Sequence, residues 1–295
     1  MKYLLIPVLW ILSTGKLIFQ SGFSKSGKCT YSDSIFFNAV MFTTVALIFF
    51  PFFITNGAKM FTLLSGITMG VFSLLFQICY IMAFSKGKTS LTVTINNFSL
   101  LIPVIVSYIL FDENFGILRL IGTCLILISF MLTVSREKTI KEEKLLKHQW
   151  WQWLGYTMLV FFSNGILSVN QKVYSKLTTK LEIFEYVAVA YLFASLISWV
   201  IFMITNKKKS CYKGCKSYKK AGILAGGAGV FLGLYQCINT YAASVIDGTV
   251  LFPVVNCGMS LILTLISKFM FKEKLSKMQY AGVFVGIAAI VFMSI

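Results

Sequence analysis

Lys16 has the most unusual setting in this sequence, because it lies inside a long apolar run from Tyr3 to Phe23. A charge near the middle of a membrane-spanning helix costs at least about 2.5–3.5 kcal/mol on insertion scales. Ser13, Lys16 and Gln20 recur at i, i+3 and i+7, so they share one face of a helix. We expect Lys16 to contact a carboxylate or phosphate of a substrate, or to carry a proton. The alternative is that its ammonium group reaches an interface or bonds a backbone carbonyl.

Other apolar runs also carry polar side chains at helical spacing. Ser73, Gln77 and Tyr80, for example, recur at i, i+4 and i+7. Inside a membrane such groups must face protein or a wet cavity, because lipid offers no hydrogen-bonding partner. The alternative role is hydrogen bonding between helices, worth about 0.6–2 kcal/mol per bond. The residues that we predict to bind the substrate are Lys16, Ser13, Gln20, Gln77, Tyr80, Asn96, Asn164, Gln171, Gln236, Asn239 and Asn256.

The composition indicates which elements position these side chains. Of the 295 residues, 57% are hydrophobic and 13% are charged, which is typical of a protein that crosses the membrane many times. The net charge of +17 does not indicate nucleic-acid binding, because Lys and Arg lie in short segments between apolar runs. Ten spans are predicted, at residues 3–22, 32–55, 60–84, 89–111, 115–134, 151–175, 183–205, 220–243, 247–270 and 277–294.

The chain has an internal repeat. A polar linker, residues 136–150, separates a first half, residues 1–135, from a second half, residues 151–295, with five spans in each. The gap-free alignment of the halves matches polar and small residues, namely Asn96/Asn256, Glu113/Glu273 and Gly122/Gly282. Because each half has an odd number of spans, the second half enters the membrane from the opposite side. The predicted fold class is an all-α integral membrane protein with ten transmembrane helices in two inverted five-helix repeats.

The repeat predicts how the binding cavity is charged. Ser13-Thr14-Gly15 in the first half matches Ser163-Asn164-Gly165 in the second half. Ile166 stands where the first half has Lys16. We therefore expect a cavity that is symmetric in shape and asymmetric in charge, with its positive end on the first half.

Two short motifs make the sequence resemble a known family. Phe111-Asp112-Glu113, followed by Gly122, and Phe271-Lys272-Glu273, followed by Gly282, each form a short turn with an acidic residue before the last helix of a half. This pattern resembles the EamA type of the drug/metabolite transporter superfamily. The resemblance covers nearly the whole chain. It implies that the first, third, fourth, sixth, eighth and ninth of the predicted spans line a central cavity. It also implies that the two halves give alternating access to this cavity.

These observations favour a secondary transporter of a small polar metabolite, such as an amino acid or another carboxylate-bearing solute. No Walker motif or other nucleotide-binding loop occurs, so we expect a proton or sodium gradient to drive transport rather than ATP. One alternative is a drug or quaternary-amine transporter, because the 16% aromatic fraction is enough for a cation–π cage. Another is a membrane scaffold without transport. An enzyme is not expected, because the single histidine, His148, lies in the linker.

The expected partners are a small-molecule substrate and the lipid bilayer, with no nucleic acid, metal or cofactor. The segment CYKGC, residues 211–215, offers too few ligands for a metal site. A monomer suffices to form the cavity, and the sequence leaves a dimer open. Lys-rich segments follow the odd-numbered spans, so the positive-inside rule places them in the cytoplasm and both termini outside the cell membrane. The family resemblance implies the opposite placement of the termini.

Overall fold

The computed structural model describes residues 2–24, 31–86, 89–113, 116–133, 147–178, 180–207, 218–271 and 276–294. Most of the linker, the segment CYKGC and Glu273 lie outside these residues. The described chain forms a 3-10 turn, Lys2–Leu4, and eleven α-helices, without a strand. The helices are α1 Leu5–Ser24, α2 Tyr31–Asn56, α3 Met60–Lys86, α4 Thr89–Phe98, α5 Leu101–Phe111, α6 Ile117–Thr133, α7 Lys147–Leu177, α8 Ile183–Lys207, α9 Tyr218–Val245, α10 Gly248–Phe271 and α11 Lys277–Ser294.

The fourth predicted span, residues 89–111, consists of two helices, because α4 ends before Ser99 and α5 begins after Leu100. Pro103 has no N–H to donate to the Ser99 carbonyl, and its ring crowds that oxygen. The Ser99 carbonyl instead accepts the N–H of Ile102 at 3.1 Å, and the Ser99 N–H donates to the Asn96 carbonyl at 3.0 Å. The proline therefore breaks the helix one turn before its own position.

The apolar character of the helices agrees with a membrane protein. Six segments of the described chain are long and apolar enough to cross a membrane: Lys2–Phe23, Tyr31–Asn56, Met60–Ser85, Leu91–Phe111, Ile183–Thr205 and Lys219–Val245. Three shorter apolar helices follow, Ile117–Thr133, Gly248–Ile262 and Lys277–Met293. The helix α7 does not reach the same hydropathy, because Asn164, Gln171 and Lys172 are among its polar residues. The predicted all-α membrane class is confirmed.

The chain packs into two compact units, and each unit takes helices from both halves of the sequence. The first unit comprises Met1–Trp10, Cys79–Lys172 and Val245–Ile295, and the second comprises Ile11–Ile78 and Val173–Ser244. In the first unit, α6 packs on α11, and in the second unit α2 packs on α8. The halves predicted at 1–135 and 151–295 describe repetition in the sequence, whereas these units are defined by packing.

In the first unit, α6 and α11 approach closely through the two glycines that the repeat matches. A Cβ at Gly122 would meet the side chain of Met293 on α11, and a Cβ at Gly282 would lie 2.7 Å from Cγ2 of Thr133 on α6. The Ser129 hydroxyl donates to the Gly282 carbonyl at 2.8 Å. The matched glycines therefore have a packing role between the last helices of the two halves.

Candidate functional site

Lys16 lies on α1 in the second unit, and its side chain is half-buried. No other part of the chain that the structure describes forms an ion pair or a hydrogen bond with its ammonium group. Ser13 on the same helix is buried, and Gln20 is half-buried. The pairing of Lys16 with a backbone carbonyl, which was one alternative, does not occur within the described residues.

Helix α1 packs antiparallel against α9 in the second unit. A Cβ at Gly15 would meet the ring of Phe231, and a Cβ at Gly227 would lie 2.6 Å from Cε1 of Phe19. The rings of Phe19 and Phe231 lie 5.8 Å apart between their centroids. Each glycine admits an aromatic ring of the other helix, so the two backbones approach closely at this point.

A tyrosine on α8 accepts a hydrogen bond from one of the side-chain amides that we predicted to bind the substrate. The Gln236 side chain on α9 donates a hydrogen bond from Nε2 to the hydroxyl of Tyr191, at 2.8 Å. The Tyr191 hydroxyl also has a side-chain hydrogen bond with Ser73 on α3. Tyr191 is fully buried, whereas Gln236 is half-buried. The sequence did not single out Tyr191, because a lone tyrosine on an apolar helix gives no periodic signal.

The other two predicted residues of the second unit, Gln77 and Asn239, differ in exposure. Gln77 on α3 is half-buried and has no hydrogen bond within the described part of the chain. Asn239 on α9 is buried. The structure therefore places all six predicted residues of this unit on α1, α3 and α9, and it joins one of them, Gln236, to Tyr191.

In the first unit, Asn164 on α7 donates from Nδ2 to the hydroxyl of Ser99 at 2.7 Å. This contact lies at the break between α4 and α5, one turn beyond Asn96. The Asn96 side-chain oxygen is buried and accepts no hydrogen bond from a described residue. A Cβ at Gly165, beside Asn164, would lie 2.8 Å from Cβ of Ile102 on α5. The repeated glycines at 15 and 165 therefore both admit a bulky side chain of a neighbouring helix.

The remaining predicted residues of the first unit are not joined to this contact. Asn256 bonds within its own helix, from Nδ2 to the Phe252 carbonyl at 2.8 Å. Gln171 on α7 is buried. Tyr80 packs its ring 4.3 Å from that of Phe84, between centroids. The hydrogen bond of Asn256 lies within a single helix, so it is not the contact between helices that was the alternative to solute binding.

A buried ion pair in the first unit was not predicted. Lys172 Nζ on α7 lies 2.6 Å from Glu113 Oε1, and the two side chains are only 1% and 5% exposed. The same Nζ donates to the Ile246 carbonyl at 2.9 Å, and Glu113 Oε2 accepts the N–H of Thr249 at 3.1 Å. The pair thus joins the turn after α5 to α7 and to the start of α10.

A second ion pair lies beside the first but is more exposed. Arg119 on α6 lies 3.0 Å from Asp247 Oδ2 and 3.1 Å from the Thr249 hydroxyl. Lys172 falls inside the predicted span 151–175 and was not among the residues that we predicted to bind the substrate. Its place beside Gln171, together with the matched acid Glu113, was the signal that could have found the pair.

Carboxylates also fix the connections at one end of the second unit. Glu182 Oε2 accepts the N–H of Lys59 at 3.0 Å and the hydroxyl of Thr62 at 2.8 Å. Partial desolvation raises the pKa of Glu182, but these hydrogen bonds and the charges of Lys59 and Lys180 outweigh it, so the pKa is lowered. Glu185 is buried and accepts a hydrogen bond from Asn56 at 2.7 Å.

Comparison with known proteins identifies the family. The sequence model described as "EamA-like transporter family" matches residues 19–135 and 149–295, which correspond to the two repeats. A solved structure described only as "Crystal structure of protein" is similar over 99% of this chain and 97% of that chain, with a TM-score of 0.75 and 12% identity. No curated protein matches the sequence. The predicted membership of the drug/metabolite transporter superfamily is confirmed: the chain belongs to the EamA-like transporter family, whose members are membrane transporters of small solutes rather than enzymes.

Proposed function

We propose that this protein is a secondary transporter that moves a small carboxylate-bearing metabolite, such as an amino acid, by alternating access. The observation that carries the proposal is Lys16, a half-buried cation on α1 without an ion pair in the described chain. Holding a charge inside a span without a counter-charge is unfavourable. A solute that brings a carboxylate to Lys16 would offset part of that cost, so binding of an anion is favoured.

Two basic side chains of the first unit are less suited than Lys16 to bind an anionic solute. Lys172 is paired with Glu113, and Arg119 is paired with Asp247. A solute that bound either cation would have to displace a carboxylate of the protein, whereas no such displacement is needed at Lys16. The same positive charge would repel a quaternary amine, which disfavours the drug-transporter alternative.

The inverted repeat supports alternating access, because secondary transporters commonly use two such halves. A proton or sodium gradient would supply the free energy. As a multi-pass chain, the protein would lie in the cell membrane, with the Lys-rich connections in the cytoplasm because the positive-inside rule favours that side. The partners of the transporter are then its solute, the coupling ion and the bilayer.

The proposal is tested by flux in proteoliposomes. The purified protein is reconstituted, and uptake of a panel of amino acids and other carboxylates is measured under an imposed proton or sodium gradient. For a solute that is transported, we expect Lys16→Ala and Lys16→Gln each to reduce uptake by about tenfold or more, because a charge-assisted hydrogen bond is lost. Lys180→Gln is the matched control, since Lys180 is an exposed lysine in the connection before α8.

The outcomes separate the proposed function from its alternatives. Normal uptake by both Lys16 variants would overturn the anion role of Lys16. Competition by quaternary amines but not by carboxylates would favour the drug-transporter alternative. A reconstituted protein that moves none of the solutes under either gradient would favour the scaffold alternative.

A further inference from the structure

We infer that the break between α4 and α5 is a binding site for a sodium ion, which is the coupling ion of the transporter. Asn96, Ser99 and Asn164 supply the side-chain oxygen ligands of this site. The inference rests on the proposed function, because a coupling ion requires transport. It goes beyond that function by choosing sodium over a proton and by giving the ion a place in the first unit.

The break brings two side-chain amides and a hydroxyl group together. The Ser99 N–H donates to the Asn96 carbonyl at 3.0 Å, so the chain makes one tight turn between these two residues. Residues three apart in such a turn have neighbouring side chains, with about 5–6 Å between their Cβ atoms. The Asn164 amide on α7 contacts the same turn, because its Nδ2 donates to the Ser99 hydroxyl at 2.7 Å. Asn96 and Asn164 are therefore both neighbours of Ser99.

The oxygen atoms of this cluster can accept more than the described chain donates to them. Asn96 Oδ1 is buried, and no described residue donates to it, not even the nearby hydroxyl of Ser99. The Ser99 hydroxyl accepts one N–H, from Asn164, and a hydroxyl oxygen has two lone pairs. Asn164 Oδ1 has no hydrogen bond within the described part of the chain. Leaving a buried acceptor without a partner is unfavourable, so the cluster favours a ligand that carries positive charge.

The chemistry of these oxygen atoms suits a monovalent ion. Hard cations bind through oxygen ligands, and protein sites for divalent cations use carboxylates. Amide and hydroxyl oxygens are neutral, so they match a single positive charge and allow the ion to be released again during a transport cycle. In other secondary transporters, coupling ions bind where a transmembrane helix is discontinuous. Pro103 produces such a discontinuity in the fourth span.

The second half of the chain does not repeat this cluster. Asn256 matches Asn96 in the repeat, but its Nδ2 donates to a carbonyl of its own helix at 2.8 Å. The same alignment places Met259 where the first half has Ser99, so the hydroxyl is missing. The helix α10 is also continuous through these positions. The inferred site therefore belongs to the first half, and Asn256 offers a matched control for Asn96.

The first test measures binding of the ion without transport. The purified protein is unfolded by heat in detergent, in sodium chloride or in N-methyl-D-glucamine chloride at the same ionic strength. A ligand that binds only the folded state stabilises it, so sodium at several times its Kd should raise the Tm by about 2–4 °C. Asn96→Leu should remove this shift. Asn256→Ala should keep it, because the Asn256 amide bonds within its own helix.

Two further variants separate an ion ligand from an amide with a structural role. A carboxylate is a stronger ligand for a cation than a neutral amide, so Asn96→Asp should keep the sodium shift and lower the Kd for sodium. An amide with only a structural role would give no such gain. Ser99→Ala removes one ligand from a small, buried residue, and we expect it to raise the Kd about tenfold.

The second test is the dependence of transport on sodium. Proteoliposomes are prepared with the same pH on both sides, and uptake of a transported carboxylate is measured with an inward sodium gradient or with N-methyl-D-glucamine in place of sodium. We expect the sodium gradient to drive uptake. Asn96→Leu and Ser99→Ala should each raise the sodium concentration for half-maximal uptake by about tenfold or more.

Three outcomes would overturn the inference while leaving the proposed function intact. The first is uptake that a proton gradient drives and that does not respond to sodium. The second is a sodium shift of the Tm that both Asn96→Leu and Ser99→Ala retain. The third is sodium-independent uptake in which these variants impair only solutes with an amino group, because the oxygens would then bind the solute. Normal uptake by the Lys16 variants would instead overturn the anion role in the proposed function, so the failures are distinguishable.

Discussion

Lys172 Nζ lies 2.6 Å from Glu113 Oε1 and 2.9 Å from the Ile246 carbonyl, and both ionised side chains are almost fully buried. Glu113 Oε2 accepts the N–H of Thr249 in the first turn of α10. Oppositely charged groups that are buried together stabilise a structure only while both are present, because the loss of one leaves the other uncompensated. The pair therefore connects α7 to the turn after α5 and to the start of α10.

We predict that Lys172→Met destabilises the protein by about 3–5 kcal/mol, because it leaves the buried Glu113 carboxylate without its counter-charge. The double variant Lys172→Met with Glu113→Gln should lose less than the sum of the single losses. The measurement is denaturant unfolding in detergent, followed by the fluorescence of the five tryptophans. Additive losses would contradict the coupling.

The neighbouring ion pair gives a contrasting prediction. Arg119 and Asp247 are 23% and 43% exposed, so solvent screens their attraction. We expect Asp247→Asn to cost no more than about 1 kcal/mol in the same unfolding measurement. A loss as large as that of Lys172→Met would contradict the prediction that the more exposed ion pair contributes less stability.

A dependence of stability on pH is predicted from Glu182. Its pKa is lowered in the folded protein, so it contributes stability above its unfolded value, about 4.3. That contribution is lost as the pH falls through the lower folded value. Unfolding curves of the wild type and of Glu182→Gln should therefore converge as the pH falls below about 4. Parallel curves down to the lowest accessible pH would contradict this role of Glu182.

The close contact between α1 and α9 predicts an effect of a single methyl group. Gly227→Ala would place its Cβ against the ring of Phe19, and we expect a loss of about 1–3 kcal/mol from overpacking. Gly155→Ala on α7 is the control, because no atom lies within 4 Å of its added Cβ. That change should be neutral or stabilise the helix by about 0.5–1 kcal/mol. Equal effects of both changes on thermal unfolding would rule out the proposed packing.

The orientation is predicted from charge and can be measured by labelling. In intact cells, an impermeant maleimide should react with Lys180→Cys, in the connection before α8, and should not react with Cys211 or Cys215. The positive-inside rule is the reason, because the lysines around Cys211 and Cys215 favour the cytoplasm. The reverse pattern would place both termini in the cytoplasm, as the family resemblance implied.

The helices were predictable from the sequence because apolar runs of membrane length are bounded by charged or turn residues. Ten spans were located to within a few residues, including α7, whose polar residues lower its hydropathy. The break at Ser99 was less predictable, because Pro103 lies in a run that is otherwise continuously apolar. Only the hydrogen bonds of the Ser99 carbonyl reveal where the helix ends.

The candidate site was predictable only in part. Periodicity predicted that Lys16 and Gln236 face inward, because polar residues at helical spacing cannot all face lipid, and both residues are half-buried. It could not find Tyr191 or the partner of Lys172, since both depend on contacts between residues that are far apart in the chain. Asn256 is a residue that the repeat singled out as a candidate, although its side-chain amide bonds to a carbonyl of its own helix.

The division into two compact units bears on how the chain is built and inserted. The pairs α2–α8 and α6–α11 each join a helix of the first half to a helix of the second half. Residues 1–135 expressed alone would contain α2 and α6 without either partner, and neither unit would be complete. Folding is therefore completed only after the second half has been synthesised. Two separately expressed halves should regain activity only when both are present in the same membrane.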